Sequence, residues 1–227
     1  MSLLLNIDTA IDTAFVSIAK DGEILYEAEN RDQKDHGAFL QNAIASLLKQ
    51  TGILVTDLDA VAVVCGPGSY TGLRVGMASA KGICYAINKP LITVGALEIL
   101  ASQAIAENNI IKTDKPLLFC PMIDARRLEV FTAIYDDNLR EILPPCAMIL
   151  SEDSYAKFLL NNKLLFFGNG SDKWKNIATD SHALHKSIIT NPLYMSKISY
   201  KLFCSKSFSD NAYAEPLYIK EFYNTFK

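Results

Sequence analysis

The stretch from Val61 to Ala86 constrains this chain more than any other: a β-branched apolar run, a glycine–proline turn, and a helix with almost no side chains along one stripe. Val61-Ala62-Val63-Val64-Cys65 suits a strand buried on both faces, and Gly66-Pro67-Gly68 must break it. Ser69 is a good N-cap for the helix that follows. Within that helix Gly72, Gly76 and Ser79 recur at three and four residues, leaving a bare stripe on which another backbone can come close. A helical glycine costs about 0.5–1 kcal/mol relative to alanine, so Gly72, Gly76 and Gly82 together imply a helix that packs tightly on something. Three readings stand open at this point: a partner, a phosphate at the helix start, or the chain's own sheet.

Length and composition narrow the class. A chain of 227 residues, half of them hydrophobic, exceeds the usual single domain and can bury two cores. No apolar run approaches a membrane span and no basic region precedes an apolar one at the start, so a cytoplasmic protein with no membrane partner is expected. The five cysteines lie scattered in apolar segments without a C-x-x-C pair, which fits reduced, buried thiols rather than zinc or disulfides. Residues 1–105 carry 7 basic and 11 acidic groups, a balance of −4, and the remainder carries 15 and 14, a balance of +1. With a net charge of −3 the surface as a whole is not expected to hold a polyanion unaided.

In chain order, Leu3–Ile7 reads as a buried strand ending in Asp8-Thr9-Ala10, Ala14–Ala19 as a second, and Asp21-Gly22 as the hairpin turn into a third, Glu23–Ala28. Asp35 can cap a helix in which Phe39, Leu40, Ala43, Ile44, Leu47 and Leu48 share a face, stopped by Gly52. After the glycine helix come a strand, Leu91–Val94, and a helix from Ala96 to Glu107. Polar residues 108–115 mark a joint, giving domains 1–107 and 108–227. Beyond it Leu117–Ile123 ends in Asp124-Ala125-Arg126, followed by a hairpin, Leu128–Tyr135 and Glu141–Met148, so Ile123-Asp124 repeats Ile7-Asp8. A helix over 151–160, a strand Leu164–Phe167, the loop Gly168-Asn169-Gly170 and mostly helical sequence to Lys206 complete the expectation. A duplicated β-β-β-α-β-α unit is the plan of the actin-like ATPase (RNase H-like) fold, here α/β with the second copy reduced.

ATP-using members of that architecture grip phosphate with hairpins in which a glycine follows an aspartate, because a backbone without Cβ admits oxygens to several N–H groups. Asp8-Thr9-Ala10 and Asp124-Ala125-Arg126 both lack the glycine. Asp8 is then either a magnesium-handling carboxylate or the cap of its own turn. No Gly-Lys-Ser/Thr follows Gly66-Pro67-Gly68-Ser69, so it is no Walker loop, and Ser69 lacks the flanking glycines of a nucleophile elbow. Gly168-Asn169-Gly170-Ser171 does not follow dinucleotide spacing. Of the three histidines, His36 reads as a surface residue, and His182 and His185 as a helical pair on a solvated face rather than metal ligands.

Taken in order, Asp8-Thr9-Ala10, the block from Gly66 to Gly76, Ile123-Asp124-Ala125-Arg126 with Glu129-Val130-Phe131, Gly168-x-Gly170 and Pro216-Leu217-Tyr218 resemble the TsaB (YeaZ) family of tRNA threonylcarbamoyladenosine biosynthesis proteins over nearly the whole chain. The resemblance implies an actin-like two-domain fold and a non-catalytic subunit without cofactor or metal. Such a subunit binds the paralogous catalytic subunit TsaD and the ATPase TsaE and, indirectly, a TsaC-type synthase and tRNA. In the catalytic paralogue two metal-binding histidines follow the strand matching Leu91–Val94; the corresponding residues here are Ala96 and Leu100, which cannot ligate a metal. It further implies that two helices form the partner interface, through His36, Phe39, Leu40 and Ala43 on one and Tyr70, Leu73, Arg74, Gly76, Met77, Ser79 and Lys81 on the other. Asp8, Thr9, Ala10 and Asp124 become vestigial phosphate-hairpin positions. Without its partner the chain is expected to pair with itself through the same helices. The alternatives are a small-molecule kinase using Asp8 and Asp124, or a metalloprotease; the missing hairpin glycines and histidine pair disfavour them.

Overall fold

The duplication expected from Ile7-Asp8 and Ile123-Asp124 is visible in a computed structural model that describes residues 1–31, 36–108 and 115–220. The first half of the chain forms β1 (Leu3–Asp8), β2 (Ala14–Lys20), β3 (Glu23–Asn30), α1 (His36–Thr51), β4 (Ala60–Gly66), α2 (Tyr70–Ile87), β5 (Leu91–Gly95) and α3 (Ala96–Ala106). These strands make a sheet of order β3-β2-β1-β4-β5, antiparallel through β3, β2 and β1 and parallel through β1, β4 and β5. The second half forms β6 (Leu117–Asp124), β7 (Glu129–Tyr135), β8 (Glu141–Ile149), α4 (Ala156–Leu159), β9 (Lys163–Phe167), α5 (Ser171–Lys175), β10 (Ala183–His185) and α6 (Pro192–Cys204). Its sheet, β10-β9-β6-β7-β8, has the same plan, with β8, β7 and β6 antiparallel and β9 and β10 parallel to β6. This is the actin-like arrangement, and the second copy is the reduced one: its two helices, α4 and α5, span four and five residues where α1 and α2 span 16 and 18.

In the first unit, alternation along the strands decides what each face meets. Leu5, Ile7, Val16, Ile18, Val61 and Val63 pack with Leu40, Ile44, Leu47, Met77, Ala80 and Cys84 of α1 and α2. Asn6, between Leu5 and Ile7, points the other way, where α6 packs on β1, β3 and β5. There Ser199 donates to Asn6 Oδ1 at 2.6 Å and Ser196 to the Gly22 carbonyl at 2.9 Å, both buried. The division into compact units follows: residues 1–99 with 190–216, and residues 100–189 with the end of the chain from Leu217. A single cut at 107/108 therefore gives way to a chain that returns to its first unit, because the second face of sheet β3-β2-β1-β4-β5 needs α6 as cover.

The second unit has its own core, in which Tyr155, Phe166 and Trp174 pack ring against ring, Tyr155 meeting the other two edge-on at centroid distances of 5.0 and 4.9 Å. Two expectations fail here. Residues 151–160 form only the single turn of α4, and the tract read as helical beyond Gly170 contains β10. The proposed caps fare differently: Ser69 Oγ accepts from Gly72 N, as expected, whereas Asp35 lies outside the described residues. Among the described residues no helix is long and apolar enough to cross a membrane. All five thiols are free; Cys84 and Cys120 are buried, whereas Cys204, expected to be buried, is exposed at the end of α6.

Candidate functional site

The glycine helix closes on the chain's own first turn. Ser69 N donates to the Ala10 carbonyl at 2.6 Å and Thr9 Oγ1 donates to the Gly72 carbonyl at 2.7 Å. A Cβ on Gly68 would sit 2.2 Å from Ala10 O, one on Gly72 2.0 Å from Thr9 O, and one on Gly76 2.5 Å from Thr9 Oγ1. So two of the stripe's residues, Gly72 and Gly76, serve packing on the strand-end turn. Gly76, expected to face a partner, is buried against Thr9, Val63 and Ile7. Gly82, by contrast, meets nothing within 4 Å.

Asp8 caps its own turn, its Oδ1 accepting from Ala10 N at 2.9 Å. The carboxyl is buried, and desolvation raises its pKa from 3.8 to about 6 against the lowering effect of that one hydrogen bond. The N–H and the carbonyl of Ala10 are thus both engaged within the chain, the first by Asp8 and the second by Ser69.

The second turn is built alike, from residues whose role the sequence did not betray. After β9, Gly168 at φ 92° and Gly170 pass against the end of β6, as Gly68 passes against Ala10 just beyond β1; added Cβ atoms on Gly168 and Gly170 would meet Met122 O at 2.3 Å and Ile123 C at 3.0 Å. Asp124 N donates to Asn169 Oδ1, and Asp124 Oδ1 accepts from Arg126 N at 2.6 Å and Lys173 Nζ at 2.7 Å. Burial raises the Asp124 pKa, but Lys173 and Arg126 outweigh it and hold the carboxyl below its ordinary value. Lys173 was missed because its partners, Asp124 and the Glu129 carbonyl, lie more than 40 positions away; the matching glycines of the two loops were the usable signal.

The expected interface residues separate by burial. Leu40, Ala43, Leu73 and Met77 are 0, 6, 2 and 3 % exposed and so cannot reach a partner: they are the inward side of the amphipathic stripe. Arg74 is exposed, with its guanidinium 4.3 Å over the ring of half-buried Tyr70. Ser79 accepts from Gln41 of α1 at 2.7 Å, at the outer seam of α1 and α2, and Phe39 is half-buried beside it on α1. Lys81 is engaged within the chain, its Nζ donating to the carbonyls of Ala212 and Ala214 at 3.0 and 2.9 Å. His36 opens α1, its side chain outside the described residues.

His182 and His185 are not a helical pair. His185 lies in β10 and stacks on Phe166 at 5.5 Å, while His182 Nδ1 lies 2.9 Å from Asp180 Oδ1. Burial, with Lys175 nearby, lowers the His185 pKa. Among the described residues no three His, Cys, Asp or Glu side chains come together as metal ligands. Ala96 and Leu100, one turn apart on α3, are both buried.

A family model described as TsaD, tRNA N6-adenosine threonylcarbamoyltransferase, matches residues 23–206. The chain belongs to this family. Within the family it stands with TsaB (YeaZ): it is 26% identical to the tRNA threonylcarbamoyladenosine biosynthesis protein TsaB of Escherichia coli over 229 residues, 96% of this chain and 94% of that one. It is 27% identical to TsaB of Bacillus subtilis over 180 residues, 78% and 75% of the two chains. An uncharacterized protein of Mycobacterium tuberculosis is 34% identical over 146 residues, which is 63% of this chain and 64%, less than two thirds, of that protein's length. Among solved structures, YeaZ from Pseudomonas aeruginosa has the same fold, with a TM-score of 0.75 at 21% identity over 96% of this chain and all of that one.

Proposed function

We propose that this chain serves tRNA threonylcarbamoyladenosine biosynthesis as a non-catalytic subunit that binds and activates a TsaD-type paralogue, together with a TsaE-type ATPase, for threonylcarbamoyl transfer to the adenosine beside the anticodon. The closed Asp8–Ala10 turn carries the reading. A nucleotide-using protein of this architecture leaves N–H groups of that turn free for phosphate; here Asp8 holds the Ala10 N–H, and the start of α2 closes on the carbonyls of the same turn. Apolar Ala96 and Leu100, where the catalytic paralogue carries metal-binding histidines, support the same conclusion.

The docking face in this reading is the outer side of α1 and α2, presented by Tyr70, Arg74 and Ser79 with part of Phe39, while Leu40, Ala43, Leu73, Gly76 and Met77 hold the two helices in place from behind. In the absence of the partner the same face pairs two copies weakly. The test is a pull-down with the TsaD- and TsaE-type subunits of the same cell, followed by reconstitution of tRNA modification. Modification that needs this chain, with no ATP hydrolysis by the chain alone, is the expected result. Full modification without it refutes the proposal, and ATP turnover abolished by Asp8→Asn would instead support a kinase.

A further inference from the structure

The turn between β6 and β7 holds two successive arginines in the left-handed region, Arg126 at φ 71° and Arg127 at φ 49°. An L-residue there costs about 1–2 kcal/mol, which is tolerated where the surroundings over-determine the backbone. They do so here: Arg126 N donates to Asp124 Oδ1 at 2.6 Å, and Ala125 N and Glu129 N exchange 3.1 Å bonds with the carbonyls of Glu129 and Arg126. Lys173 Nζ then ties Asp124 Oδ1 to the Glu129 carbonyl.

Both arginines are exposed, and neither guanidinium makes a hydrogen bond or ion pair among the described residues. The adjacent carboxylates are already taken, Asp124 by Lys173 at 2.7 Å and Glu129 by Lys220 at 2.5 Å. The cluster thus sets four cationic side chains against two carboxylates in a chain of net charge −3. A rigid tip with two free guanidinium forks suits phosphate oxygens. It is an open surface, and a small nucleotide needs a concave site around most of its own surface, whereas a polyanion is contacted from the side through its repeating phosphates.

We infer that the Arg126–Arg127 tip is a contact for the phosphodiester backbone of an RNA, an inference that rests on the tRNA-modification reading and adds to it a surface on this subunit. The experiment uses the chain assembled with its TsaD-type partner and a fluorescent tRNA, titrated at several salt concentrations, with the double variant Arg126→Gly/Arg127→Gly in parallel. Glycine relieves the left-handed backbone, so the variant melts at the same or a higher temperature and binds the partner normally. Its tRNA affinity falls about threefold or more, and the slope of log K against log salt becomes shallower by roughly 1–2, the share of one or two phosphate contacts. Unchanged tRNA affinity and slope overturn the inference, as does a loss confined to partner binding, which makes the tip a protein contact, or to an ATP-dependent step, which makes it a nucleotide contact. A wild-type chain that does not join the partner at all overturns the underlying reading and this inference with it.

Discussion

Replacing glycine by alanine at two positions of α2 should change stability in opposite directions. Gly72 and Gly82 lie in the same helix, so the gain in helix propensity, about 0.5–1 kcal/mol, is the same for both. At Gly82 nothing lies within 4 Å of the new Cβ, and that gain should appear undiminished. At Gly72 the Cβ would sit 2.0 Å from the backbone oxygen of Thr9, which cannot rotate away as a flexible side chain would. Separating them to van der Waals contact means moving the helix from the Asp8–Ala10 turn by more than an ångström, straining the Thr9–Gly72 and Ser69–Ala10 hydrogen bonds that close it. Overpacking costs about 1–3 kcal/mol and each of the two hydrogen bonds, if lost, about 0.5–1.5 kcal/mol, so Gly72→Ala should lose about 1–5 kcal/mol net of propensity. Urea denaturation followed by circular dichroism reads both changes as shifts in midpoint at constant slope. Gly72→Ala as stable as wild type would refute the account of the stripe as a packing surface for the chain's own turn.

Asp8→Asn keeps the acceptor for Ala10 N but removes a buried charge. Because the folded pKa is raised from 3.8 to about 6, the wild type is most stable with Asp8 protonated, and that stability is lost as pH rises from about 4 through about 6. The variant should therefore gain up to about 3 kcal/mol on wild type above pH 6.5 and only about 0.5 kcal/mol at pH 4, and a difference independent of pH in thermal melts would contradict the burial argument. Lys81→Met, which strips the ammonium from the carbonyls of Ala212 and Ala214, should cost about 1 kcal/mol and speed amide exchange around 209–214 before the rest of its unit; uniform exchange would show that this tether is idle. Ser79→Leu removes only an exposed bond to Gln41, so it should lower the melting temperature by no more than a few degrees while abolishing binding of the TsaD-type partner, and normal binding would take the docking face elsewhere.

What the sequence determined by itself was whatever depends on neighbours along the chain. Asp21-Gly22 makes the β2–β3 hairpin because both take positive φ, 52° and 87°, a local property of those residues. Ser69 caps α2 through Gly72 N, three residues on, and the β-branched run before it could only be a buried strand. The repeat of Ile7-Asp8 in Ile123-Asp124 announced two sheets of one plan, which the strand orders bear out. Only the tertiary structure could decide the remainder, because the deciding partner lay far away in sequence. The three residues of β10 are a strand solely because β9 is beside them to accept the pairing; alone they carry no period to read. α6 belongs to the first unit because Asn6 and Gly22, more than 170 positions earlier, offer its serines their partners. The same holds for the glycine stripe: spacing along α2 puts Gly72 and Gly76 on one side of the helix but leaves open what lies against it, and it is the turn at Thr9 arriving on that side that makes Gly72 indispensable while Gly82 stays bare.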